Sequence, residues 1–191
     1  PEQVRFDDGG GAAHGETGKP VTVGRSESMS KSKKNVVDPG AIIDRYGADT
    51  ARWFMLSDSP PERDLEWSDS GAAGASRFLQ RLWKLIADGA DGIPHPGTEH
   101  PGGDVSEAVA ELRAATHRTI AKVTEDIERL RFNVAVAKLY EFTNQVADAP
   151  KTLDNSALAG WARREALEAL TQLVAPMMPH MAEEAWALLG H

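Results

Sequence analysis

The stretch from Val105 to Leu130 limits what this chain can become more than any other. Val105, Val109, Leu112, Thr116, Ile120, Val123, Ile127 and Leu130 advance in steps of 4, 3, 4, 4, 3, 4 and 3. Steps of three and four keep side chains on one side of a 3.6-residue helix, whereas a half-buried strand needs steps of two. A single stripe about seven turns long cannot bury itself. It requires partner helices.

The flanking segments supply them. After Ser68, Phe78, Leu79, Leu82, Trp83, Leu85 and Ile86 form a broad apolar face that stops near Gly89. Residues 92–103, GIPHPGTEHPGG, have linker composition, and Asp104 with Glu107 reads as a capping box opening the long helix. Asn133 is placed to cap the next helix, with Val136, Leu139, Tyr140, Phe142 and Val146 inward. Asn155 is placed to open another, carrying Leu158, Trp161, Leu167, Leu170 and Val174. Pro176 and Pro179 interrupt it, and residues 181–190 make a last short helix. The expected fold is mainly α: an antiparallel helical bundle over residues 68–191, preceded by a small α/β piece over residues 1–67.

Within that leading piece, VRF (4–6) and VTVG (21–24) read as short strands, the second ending at Gly24. Asp38 and Pro39 open a helix whose apolar side is Ile42, Ile43 and Tyr46, and Gly47 closes it. Asp49 is positioned to cap a second helix carrying Ala51, Trp53, Phe54 and Leu56, which ends before Pro60 and Pro61. DLEW (64–67) reads as extended.

Charge singles out the segment between the second strand and the first helix. The chain carries a net charge of −8, which argues against a surface built wholly for nucleic acid. From Arg25 to Lys34, however, four basic residues face one acid, Glu27, a local balance of +3 that leaves −11 elsewhere. Three of those cations lie in SESMSKSKKN (26–35). Lysines are mobile point charges, and serine hydroxyls with backbone N–H groups are short donors, so the segment suits a phosphate. If extended, it would turn Lys31 and Lys33 the same way. Composition alone is equally served by a solvated tether. The absence of cysteine fits a reducing cytoplasm, and no apolar run is long enough to span a bilayer.

The order of residues decides between those readings. Met29-Ser30-Lys31-Ser32, then Lys33-Lys34-Asn35, Tyr46-Gly47-Ala48-Asp49 and Arg52 resemble the second signature of the class I aminoacyl-tRNA synthetases. Phe54 to Asp64 with Leu65-Glu66-Trp67, Gly71 to Leu79, Arg131-Phe132-Asn133, and Ala175 to His180 with Glu183-Glu184 look like the bacterial leucyl family. The isoleucyl and valyl families are close alternatives, and a stand-alone tRNA-binding or scaffold bundle with a vestigial loop is the alternative of another class.

The resemblance implies that residues 1–67 end a catalytic domain and residues 68–191 form an anticodon-binding-type helical domain. It implies a parent enzyme that activates leucine with ATP and Mg²⁺ and transfers it to tRNA(Leu), in the cytoplasm. Lys31 matches the catalytic lysine, with Met29, Ser30 and Ser32 as ATP contacts. Lys33, Lys34, Arg77, Arg81, Lys84 and Arg131 are candidate tRNA contacts. The family's first lysine is Ser28 here, so one motif cation is missing. No His-Ile-Gly-His-like signature, leucine pocket or editing region occurs in the sequence. Alone, the chain is expected to be inactive.

Other features carry plainer readings. Trp53, Trp83, Trp161 and Trp186 lie at helical core positions, with Trp67 less determined. His95 and His100 fit no standard metal spacing. Asp58, Glu62, Asp64, Glu66 and Asp69 read as a solvated acidic turn in preference to a Mg²⁺ site.

Overall fold

A computed structural model describes residues 4–6, 11–25 and 27–191. Contacts divide the chain into two compact units, one up to Val37 and the other Asp38–His191.

The first unit holds β1, Val4–Phe6, antiparallel to β2, Ala12–His14, with Val4 opposite His14 and Phe6 opposite Ala12. β1 is the expected VRF strand. VTVG is not a strand: an isolated bridge between Ala13 and Pro20, and Val21 N–H donating to the Ala12 carbonyl (2.7 Å), are as far as pairing goes. Pro20, just before VTVG, has no N–H to donate, so pairing there stays a single bridge.

The second unit is helical: α1 (Pro39–Tyr46), α2 (Ala48–Asp58), α3 (Asp69–Ala90), α4 (Glu107–Glu128), α5 (Phe132–Asp148), α6 (Ala157–Val174) and α7 (Pro179–Leu188). Asp38 caps α1, its carboxylate accepting from Gly40 N–H. Gly47, at φ 84°, is both the stop of α1 and the cap position of α2. An L side chain would be strained in that conformation. Ser68 caps α3. Three other caps differ from expectation. Ser106, not Asp104, caps α4, and Ser156, not Asn155, caps α6. In both, a serine hydroxyl next to the helix accepts the N–H three residues on, the shorter reach. Asn133 lies inside α5, because the α4–α5 corner takes only Arg129, Leu130 and Arg131, with Leu130 left-handed at φ 56°.

The long stripe buries Val109, Leu112, Thr116 and Val123, while Ile120 and Ile127 lie at its half-buried edge. Val105 and Leu130 fall beyond the ends of α4 and are exposed. Thr116, Thr143 and Thr171 repeat one device in α4, α5 and α6. Each buried hydroxyl donates to the carbonyl four residues back, at 2.7–2.9 Å, so none of the three hydroxyls is left unsatisfied.

α1 and α2 belong to the same compact unit as the bundle. Trp53 of α2 is fully buried, stacks on Phe78 (centroids 4.9 Å apart) and donates its indole N–H to Tyr140 Oη at 3.1 Å. Phe54 packs so close to α3 that a Cβ on Gly71 would lie 2.4 Å from its ring. Of the four tryptophans expected in the core, only Trp53 is fully there. Trp83 is exposed, and Trp161 and Trp186 are half-buried. Trp67 packs edge-on against Phe54.

Candidate functional site

The Ser/Lys segment folds as a turn over Lys31–Lys34, not as an extended strand. Ser30 is its anchor. Its N–H donates to Asn35 Oδ1 at 2.8 Å, and its hydroxyl accepts from Lys33 N–H at 3.2 Å and lies 3.1 Å from Ser32 Oγ. Asn35 also donates to the Ser28 carbonyl at 3.4 Å, so the loop is closed from both sides by one amide side chain. Ser28 serves that closure through its backbone, which any residue there would provide. Lys34 adopts φ 54° to complete the turn.

The three lysines are therefore not equivalent. Lys33 pairs with Glu27 at 2.7 Å. Lys31 and Lys34 are exposed and have no acidic partner within the described residues. Lys31 stands at the start of the turn beside the Ser30 and Ser32 hydroxyls, a cation with two hydroxyls suited to a phosphate. Met29 is exposed.

In the helical unit, motif residues in the first turns of α2 hold the α6–α7 corner. Asp49 does not cap α2. Its buried carboxylate accepts from Met181 N–H at 2.7 Å and sits 2.8 Å from His180 Nδ1, capping α7 instead. One turn on, Arg52 donates from Nε to the Met177 carbonyl (3.1 Å) and from Nη2 to the Pro176 carbonyl (2.8 Å). An anion thus meets the N-terminus of α7 and a cation meets the carbonyls that follow α6, each the charge the helix end favours. Sequence reasoning found both residues by resemblance and missed this work. The partners lie 124 to 132 positions away, beyond any local pattern.

The remaining candidate cations divide sharply. Arg77 and Arg81 are exposed on α3, Arg81 lying 5.5 Å from the Phe78 ring centroid, and neither meets a carboxylate among the described residues. Lys84 pairs with Asp88 at 2.8 Å. Arg131 is half-buried. Its Nη2 lies 2.5 Å from Oδ1 of Asp126, a carboxylate with no exposure, and 3.4 Å from Glu125. The Asp126 contact is one of charge, since its angles are not those of a hydrogen bond. Glu125 itself is held below its ordinary carboxyl range, first by the hydrogen bond from Lys122 and then by the charge of Arg129.

Among the described residues, no group of three His, Asp or Glu side chains stands close enough to hold a metal, and no helix is long and apolar enough to cross a membrane. The acids at 58–69 are exposed, with Asp69 accepting from the Trp67 indole at 2.8 Å.

Residues 21–68 match the family described as tRNA synthetases class I (I, L, M and V), and residues 110–191 match the anticodon-binding domain of tRNA ligase. Leucine–tRNA ligase of Paramagnetospirillum magneticum is 54% identical over 95% of the chain, and that of Parvibaculum lavamentivorans 55% identical over 91%. The chain spans only about one fifth (20%) of the length of either relative. Among solved structures, a LeuRS of Agrobacterium radiobacter K84, in ternary complex with tRNA and LeuAMS, superposes with a TM-score of 0.71. It is 30% identical, over 85% of this chain and 21% of that one. A methionyl-tRNA synthetase of Mycobacterium tuberculosis shares the fold at 22% identity, with a TM-score of 0.64 over 85% of this chain and 36% of its own. Nearly end to end, the chain is homologous to one segment of the leucine–tRNA ligase family, a segment that joins class I synthetase sequence to an anticodon-binding domain.

Proposed function

We propose that the chain is part of an ATP-dependent leucine–tRNA ligase, to which it contributes the phosphate-facing loop and a tRNA-binding helical domain. The observation that carries this reading is the likeness at about half identity to leucine–tRNA ligases over nearly the whole chain. In the proposed reaction the leucine carboxylate attacks the α-phosphate of ATP and pyrophosphate leaves, and the leucyl group then passes to tRNA(Leu). Lys31, free of any acidic partner, offsets the charge that builds on the phosphates, with Ser30 and Ser32 as hydroxyl contacts and Met29 beside them. Lys34 has its charge equally free, whereas Lys33 would have to leave Glu27 first. Mg²⁺ would accompany ATP, and the described residues supply it no cluster of ligands, so its ligands are assigned to no residue here. The end of the catalytic domain is set near residue 67, a reading supported by the match over 21–68. A cytoplasmic location forms part of the same proposal.

The test is leucine-dependent ATP–pyrophosphate exchange by the full-length protein. Lys31→Ala lowers it roughly 30- to 1000-fold, corresponding to the loss of about 2–4 kcal/mol from one placed charge donor. The 191-residue chain alone gives no exchange. Salt-dependent tRNA binding by a full-length protein that shows no amino-acid-dependent exchange would instead favour a tRNA-binding module.

A further inference from the structure

Resting on the reading above, we infer that the outward face of α3, presented by Arg77 and Arg81, is the element of the helical unit that grips the RNA phosphate backbone. Lys84, Arg131 and Lys138 serve the protein's own carboxylates.

The inference comes from accounting for where each cation's charge is spent. Most lysines and arginines of the helical unit already have an acid in contact. Lys84 meets Asp88, Arg113 meets Glu165, and Lys122 and Arg129 meet Glu125. Arg131 meets Asp126, Lys138 meets Glu141, Lys151 meets Asp148 and Arg164 meets Glu168. A paired cation gains little from a phosphate, because its own carboxylate is then left bare beside the same polyanion.

Arg77 and Arg81 differ in three respects. They are one helical turn apart, so their guanidinium groups can follow neighbouring phosphates. Both are exposed, outside the stripe of α3 that buries Ala75, Phe78, Leu82 and Ile86, with Arg81 at its margin beside the Phe78 ring. And from Ser70 to Ala87 the sequence contains no aspartate or glutamate, in a chain that has 29 of them. A polyanion approaching this −8 protein meets repulsion over most of it and a local positive strip here. Arg45, Arg63, Arg118 and Arg163 are also without an acidic partner among the described residues, but none of them has a second free cation one helical turn away, and Arg52 is committed to the carbonyls of Pro176 and Met177. Phosphate contacts of this kind position an RNA without reading its sequence.

The experiment is the salt dependence of tRNA(Leu) binding by the full-length protein. Each phosphate contact adds about 0.9 to the slope of log affinity against log salt for a duplex. Arg77→Gln and Arg81→Gln each lower that slope by about 1, and the double variant by about 2. The paired change Lys84→Gln with Asp88→Asn leaves it unaltered, since it removes one charge of each sign. An unchanged slope in the Arg77/Arg81 double variant overturns the inference while the wild type still binds tRNA. Failure of the wild type to bind tRNA(Leu) at any salt concentration would overturn the ligase reading and this inference with it.

Discussion

Asp49 and Arg131 are the residues where one atom group decides most. A buried carboxylate is tolerated only when its lone pairs are answered, and Asp49 is answered by a backbone N–H and an imidazole at once. Asp49→Ala is expected to lower the unfolding free energy by about 2–3 kcal/mol, a charged hydrogen bond and a cap lost together. Asp49→Asn keeps the shape and loses less. Urea unfolding checks both, and a loss as large for Asn as for Ala would overturn the expectation, since the amide would then keep none of the interaction. Arg131 has a different dependence, because its removal strands Asp126 in the interior. Arg131→Ala costs about 3–5 kcal/mol, while the double change Asp126→Ala with Arg131→Ala recovers part of it. Additive losses in that cycle would show that the two charges act separately.

Among the elements, the α4–α5 corner responds to pH. Glu125 accepts from Lys122 and lies among Arg129 and Arg131, and these hold its carboxyl below the ordinary 4.5. A lowered carboxyl binds fewer protons folded than unfolded, so its contribution is complete above pH ~4.5 and fades as acid approaches the depressed value. Asp154, lowered by the Ser156 side chain and N–H, acts in the same sense at the start of α6. Melting temperatures of Glu125→Gln and the parent should therefore converge as pH falls below the carboxylate range. A gap that stays constant from pH 7 to pH 3 would refute the assignment.

The helices themselves were legible in the sequence, since periodicity survives any tertiary arrangement: the stripe of α4 and the faces of α3, α5 and α6 all appear. Cap identity was not, because serine, asparagine and aspartate compete within two positions and the winner depends on where the backbone turns. Propensity alone favours a strand at VTVG, and the missing N–H of Pro20 beside it works against the pairing. In the site, the exposed serines and lysines stood out by composition and motif. The pairing of Lys33 with Glu27 and of Arg131 with Asp126, which separates free cations from committed ones, is set by how the chain turns and leaves no local pattern.

On the scale of the whole molecule, the helical unit is bounded by Asp38. A chain beginning there is expected to keep the helical circular-dichroism signal and thermal transition of the parent; a fall of more than about 5 °C, roughly 2 kcal/mol in a domain of this size, would make residues 1–37 part of the same cooperative fold. α2 and the α6–α7 corner, far apart in sequence, hold one another through Asp49 and Arg52 on one side and residues 176–181 on the other. Synthesis is vectorial, so Asp49 and Arg52 leave the ribosome more than a hundred residues before the corner they hold exists. At roughly 5–20 residues per second, the acid of Asp49 waits several seconds for His180 and Met181. A nascent chain stalled anywhere before Met181 therefore displays an unfinished interior, which leaves it open to chaperones and proteases until those final residues arrive.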